Sequence, residues 1–343
     1  MNTKLRLTTA WLALLATGAC EDDPTRPRAE PREYGVVVNS VSASVTIFPV
    51  GDPDSTYTVA LDPAATATTI AIRDGIALVP LGLFPAVAVI DLAAGEVIDE
   101  IPLPAGSGAT GVAIVNDTLA FVANPMLNSV TPVYYRRGDT GEDIPVGVYP
   151  TALLAVGNRV FVVEANLVSF TPAGPSTMSV IDATTLEVVN DIELSGKNAA
   201  DAAVSVDALF VVHAGNFDSA NSSLSVVHLP TEEELDHHTS FGAFASEVEG
   251  TLDLRAVIGS PAYGVALFDQ MDEAFEVGPG EGFGASGRNV LGIGLDANQR
   301  LWVLDAADCA SPGHALLVSG PAGVVVDEAE VEVCPDAIAF GTF

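Results

Sequence analysis

The stretch STMSVIDATTLEVVNDIELSG (Ser176–Gly196) has a near-copy upstream, PAVAVIDLAAGEVIDEIPLPAG (Pro85–Gly106). Both read as an alternating strand, an Asp-containing turn and a second alternating strand. Aligning on the residue before that turn extends the series. It runs through Ile47 in SVTIFPVGD, Ile90 in VAVIDLAAG, Tyr134 in VTPVYYRRGD, Ile181 in MSVIDATTL and Val227 in LSVVHLPTE, at gaps of 43, 44, 47 and 46 residues. Val318 in ALLVSGPAG lies 91 residues further on, two periods away, so one diverged unit falls between. Seven units over 33–343 gives about 44 residues each, the length of a four-stranded propeller blade.

A second series supports that count. Each unit closes on an alternating strand: TTIAIRDG, TGVAIVND, TALLAVGN, DAAVSVDA, YGVALFDQ, VLGIGLDANQ and DAIAFGTF. A β-rich run follows most of them: IALVPLG, LAFVAN, RVFVVEAN, LFVVHAG and RLWVLDA. Period-2 alternation buries a blade against its neighbours, and no blade buries both faces alone, so the ring must close. The chain ends on PDAIAFGTF, which lacks its following strand, and YGVVVN (34–39) supplies it. The fold expected is all-β, a seven-bladed propeller closed by the N-terminal strand. Two places strain the count. PTEEELDHHTSFGAFASEVEGTLDL (230–254) reads as an insertion. AFEVGPGEGFGASGRNVLGIGL leaves little room for the middle strands of the sixth unit, and six blades is the alternative.

The repeats resemble the YVTN-repeat (YncE-like) family of extracytoplasmic β-propellers. LFVVHAGNFDSANSSLSVVHLP is similar to that family's YVVN…NTVSVID pattern, and AVIGSPAYGVALFD to its IPVG…P.GVAV pattern. NVLGIGLDANQRLWVLD is closer to an NHL-type repeat. The resemblance covers nearly all of 33–343 and implies fold more than function, because the matching residues belong to strands and turns.

The N-terminus reads as a targeting segment, with 1–19 a signal peptide and 20–32 a tether. Lys4 and Arg6 form a basic start, and LTTAWLALLATGA (7–19) is an apolar run too short to span a bilayer. Thr17, Gly18 and Ala19 then lead into Cys20, which resembles a bacterial lipobox. That implies acylation at Cys20 and membrane attachment through that lipid alone. EDDPTRPRAEPR (21–32) is polar and proline-rich, as an extended spacer would be. The expected location is the bacterial cell envelope, periplasmic or outer-membrane surface, as a monomer.

Composition narrows the partners. Asp and Glu number 45 against 13 Lys and Arg, a net charge of −32 that argues against nucleic acid. Besides Cys20 the cysteines are Cys309 and Cys334, which an oxidising compartment would pair. No CxxC or CxxCH occurs, so no motif requires thioredoxin chemistry or covalent haem. His228 takes the turn position of Asp91 and Asp182. EEELDHH and its flank bring together Glu232, Glu233, Glu234, Asp236, His237 and His238, candidate ligands for a divalent cation but without a fixed metal-binding spacing. The acidic turns VGDPDST, RRGDTGED, FDQMDEAFE and VVVDEAEVE lack the DxDxDG loop, and GPGEGFGASG lacks the P-loop ending. No GxSxG or SxxK marks a nucleophile. The expected function is a non-enzymatic binding module for an envelope protein, peptide or cell-wall ligand, with no cofactor required by motif. The alternative is a lactonase- or lyase-like enzyme with a divalent metal at the channel mouth.

Overall fold

In a computed structural model describing residues 32–217 and 220–343, the second strand of each blade is buried on both faces. Successive residues serve different neighbours. Val36 and Val38 pack towards the first blade, while Val37 joins Trp302 and Leu304 of the sixth. Leu209 and Val211 meet the third blade, and Phe210 and Val212 meet the fifth. This explains the unbroken apolar runs in the sequence: a strand covered on both sides has no polar face to alternate with. Each such Val or Leu contributes roughly 1.5–3 kcal/mol on burial. Seven apolar clusters fill the seven blade-to-blade interfaces.

The blades are seven four-stranded antiparallel sheets, one carrying a split outer strand. The first blade runs Ala71–Arg73, Ile76–Pro80, Ala86–Asp91 and Glu96–Pro102 from the inside outwards. The innermost strands of the others are Val112–Ile114, Pro150–Val156, Ala199–Ser205, Glu247–Gly250, Val290–Leu295 and Pro335–Thr342. Each touches the next around the ring. The seventh blade takes Pro335–Thr342 from the end of the chain and Glu33–Asn39 from its beginning, paired antiparallel from Glu33↔Thr342 to Asn39↔Pro335. Arg32 and Phe343 exchange backbone hydrogen bonds, and Tyr34 stacks on Phe343 at 4.2 Å between ring centroids. Among the described residues no helix is long and apolar enough to cross a membrane.

The diverged unit is complete, and its register corrects the expectation. YGVALFDQ is not an innermost strand: Gly264–Asp269 is the third strand of the fifth blade, hairpinned to Arg255–Ser260. The similarity of AVIGSPAYGVALFD to a crossing between blades therefore falls on a hairpin inside one blade. The 230–254 stretch is no insertion. It holds the outermost strand of the fourth blade, Glu233–Thr239, and the innermost strand of the fifth, Glu247–Gly250. AFEV is the fifth blade's outermost strand, and the glycine-rich segment is the crossing to the sixth. The first series also shifts by one residue at two blades, where pairing places Phe48 and Val133 in the positions read as Ile47 and Tyr134.

Two faces result. Turns joining first to second and third to fourth strands form the lower face; the remaining loops form the upper face. The chain enters at Arg32–Glu33 on the lower face, where the Glu33 carboxylate accepts a hydrogen bond from the Ala297 N–H. On the upper face, Cys309 after the sixth blade's second strand is bonded to Cys334 in the crossing to the seventh. The staple thus ties the sixth blade to the closing one. It closes a 25-residue separation, and loop entropy gives it about 3 kcal/mol. Replacing both cysteines by serine is expected to lower Tm by about 5 °C for a domain of this size. Scanning calorimetry under non-reducing conditions checks this, and an unchanged Tm would refute it.

Candidate functional site

One position recurs at the upper end of each second strand. In the seventh blade Asn39 donates from Nδ2 to Ser44 Oγ (3.2 Å) and Thr46 Oγ1 (2.9 Å). In the second, Asn124 donates to Ser129 Oγ (3.1 Å) and Thr131 Oγ1 (2.8 Å). These clamps hold the second strand's end to the first and third residues of the third strand, and they recur because the sequence repeats. The third and fourth blades place ionisable groups there. Glu164 accepts from Gly147 N–H (2.7 Å), Thr177 and Ser179, and burial raises its pKa even with three donors. His213 lies 2.8 Å from Ser225 Oγ through Nε2; burial and then the neighbouring His237 push its pKa down to about 3. In the first blade Leu81 holds the position, and in the fifth and sixth Ser260 and Asp305.

The innermost strands enclose a central cavity of about 350 Å³. Its walls are mostly threonine, alanine and branched aliphatic residues, and its only charged lining groups are Asp201, Glu247 and Glu249. Glu247 and Glu249 share a face because they are two apart on a strand, while Val248 between them packs into the core. Asp201 Oδ2 accepts the Val248 N–H at 3.0 Å. All three carboxyls are ringed by protein yet keep part of their surface open to the cavity. Desolvation raises their pKa values; Asp201 adds to the rise at Glu247 and Glu249, the latter reaching about 8. Asp336 on the seventh blade is raised by burial as well. Sequence reading misses this cluster because it treats 230–254 as an insertion. The signal was there: Phe268–Asp269 sits 41 residues after Val227–His228 and repeats Ile90–Asp91, which places EVEG on an innermost strand.

The candidate ligands 232–238 are divided between neighbours. Glu232 Oε1 lies 3.4 Å from Arg159 Nε, and Glu234 accepts from Ser195 N–H and Oγ, both in the third blade's region. Glu233 is exposed on the strand. Asp236 and His238 instead meet Gln270 of the fifth blade, at 3.4 and 3.1 Å. His237 packs edge-on to His213. Among the described residues no group of three such side chains is arranged to hold a metal ion. His228 does occupy the turn position: its Nδ1 lies 3.0 Å from Thr231 Oγ1, where Asp91 and Asp182 cap backbone N–H groups. Cys20 lies outside the described residues. A pocket of about 820 Å³ opens on the lower face between the fifth and sixth blades. Val257, Leu267, Leu295 and Leu301 line it, and Arg255 and Arg300 at its edge are already paired with Glu276 and Asp296.

Seven radial sheets around an enclosed axis define a β-propeller, and the comparison with solved structures agrees. Hydrazine synthase of Kuenenia stuttgartiensis superposes with a TM-score of 0.63 at 14% identity, over 79% of this chain and 88% of that one. A functionally unknown protein from Desulfotomaculum acetoxidans reaches 0.64 at 13%, covering 90% and 98%. Apo AztD from Citrobacter koseri reaches 0.54 at 12%, covering 91% and 99%. At these identities the likeness shows the fold alone. No family profile matches the sequence, and no curated protein matches it.

The cavity carboxyls make stability depend on pH in an unusual direction. Glu249 holds its proton to about pH 8 when folded but only to about 4.5 when unfolded. Its contribution to stability is complete below about pH 4.5 and is lost as pH rises to about 8. His213 works in the other sense, losing stability as pH falls from 6.5 to about 3. Maximum stability is therefore expected in mildly acid solution, and Glu249→Gln should flatten the decline between pH 5 and 8 while leaving the acid limb. Urea unfolding across that range tests it; an unchanged alkaline slope would count against the assignment.

Proposed function

We propose that this chain is a binding module of the bacterial cell envelope, held there by a lipid on Cys20 and built on YVTN-type repeats. The observation that carries the reading is the polarity of the ring. The chain enters the ring on the lower face, at Arg32–Glu33, so a tether before Arg32 would attach at that face. The opposite face, with its longer loops, is left free for a protein, peptide or cell-wall ligand. The residues before Arg32 support the anchor: a basic start, an apolar run, a lipobox-like TGAC and a polar spacer. From Cys20 to Arg32 the spacer reaches about 40 Å at full extension. The paired Asn–Ser–Thr clamps support the repeat assignment, since they give YVVN…NTVSV-type positions a physical role. Cys20→Ser is expected to move the protein from the membrane to the soluble fraction; retention in the membrane would overturn the anchor.

A second reading rests on the carboxyl cluster in the channel: a lactonase- or lyase-like enzyme whose divalent cation would have to draw Asp201, Glu247 and Glu249 together, since they are not arranged as a ligand set. Cation binding would displace protons held in a site of raised pKa. A thermal-shift series with EDTA, Ca²⁺, Mg²⁺ and Zn²⁺ separates the two readings. A ligand at 100 times its Kd adds about 2.7 kcal/mol. The binding-module reading expects no cation-dependent rise in Tm. A rise abolished by Glu249→Gln would favour the enzyme.

A further inference from the structure

Charge is unevenly spread over this acidic ring. The outermost segments of the seven blades (57–60, 96–102, 139–145, 187–193, 233–239, 274–277 and 325–333) hold 17 Asp and Glu and no Lys or Arg. The upper face above the first three blades is the reverse. Five loops form it, 81–85, 103–111, 125–128, 146–149 and 165–176, and none of their 34 residues is Asp, Glu, Lys, Arg or His. At the chain's 17% charged content, about six would be expected.

These loops make one continuous surface. Met126 N–H bonds to Ser107 O, Val146 N–H to Asn128 O, and Asn166 N–H to Val148 O. Asn128 Oδ1 accepts the Tyr149 N–H, and Tyr149 stands edge-on to Phe170 at 5.9 Å. The surface is apolar where it meets water. Phe170 is 62% exposed and Val168 58%, with Met126, Leu127 and Val148 exposed beside them. Exposed aromatic and Met side chains on rigid loops, without charge, are the composition of an interface core.

Resting on the binding-module reading, we propose that the upper face of blades one to three docks a protein whose contact surface has an uncharged apolar centre and a basic margin. Charge selects this occupant. A second copy docked face to face would set one acidic rim against another, and an anionic lipid surface would meet the same repulsion. A basic margin instead meets the carboxylates near the upper ends of the outer strands, Glu100, Asp143 and Glu193, which steer the encounter while Phe170, Leu127 and Met126 supply the buried contact.

The test uses the full chain in its own envelope. A benzophenone-bearing phenylalanine replaces Phe170 or Leu127 on the upper face, and Val206 or Met271 on the lower face as controls. Irradiation is expected to give one heteromeric adduct from both upper positions and none from the lower ones. The cross-linked partner peptide should be flanked by Lys or Arg. Adduct yield should fall at least several-fold in high salt, and Phe170→Asp, at unchanged Tm, should lower the Leu127 adduct about tenfold. Adducts with a second copy, with lipid, with an acidic peptide or at the lower positions alone would overturn this docking face and leave the binding-module reading standing. No adduct from any position would overturn both.

Discussion

Everything in this ring depends on the pairing of Glu33–Asn39 with Pro335–Thr342. Each second strand is buried on both sides only if a blade stands on both sides, and that condition fails for the blades beside the seam if the ring is open. The closing sheet joins residues about 300 positions apart, a loop closure of about 5 kcal/mol in entropy. Several local devices offset it: seven cross-strand pairs, the Arg32–Phe343 exchange, the Tyr34–Phe343 stack and the nearby Cys309–Cys334 bond. They cluster in and beside the one blade built from both chain ends.

Closure also sorts the charge. Innermost strands are crowded against one another, so most of their side chains are small or apolar, and a carboxyl placed there loses water and keeps its proton. Outermost strands face solvent, and most of the charge sits there and in the lower turns. The same net charge of −32 therefore has two chemical characters. At the rim it is ionised and repels like surfaces. In the channel, burial raises the pKa values of Asp201, Glu247 and Glu249 and weakens their hold on charge. The upper loops of the first three blades carry neither, which sets them apart from the rest of the molecule.

The repeat made most of this architecture readable. Ile90 and Ile181 with their Asp turns, the apolar second strands, and the missing strand after DAIAFGTF led to seven blades and to the closure. The two cysteines led to the disulfide. What misled the reading was local likeness. AVIGSPAYGVALFD looks like a crossing between blades because a Gly, a Pro and an alternating strand recur in both settings. Only pairing distinguishes a hairpin from a crossing, and pairing is non-local. Misplacing that strand hid Glu247 and Glu249, since two glutamates on a presumed loop look like solvated surface. The candidate ligands at 232–238 were adjacent in sequence, but a strand with a bulge shares them between two neighbouring blades. Adjacency along a chain is a poor guide to convergence when the element is extended.

The split seventh blade has a consequence for how the chain comes to be folded. The strand Glu33–Asn39 pairs directly with the neighbouring Ser44–Pro49 but meets its second partner, Pro335–Thr342, from the far end of the chain. Val36 and Val38 are covered by the first blade, whereas Val37 waits for Trp302 and Leu304 of the sixth. Closure is the one pairing in the ring that has to wait for strands from both ends of the described residues.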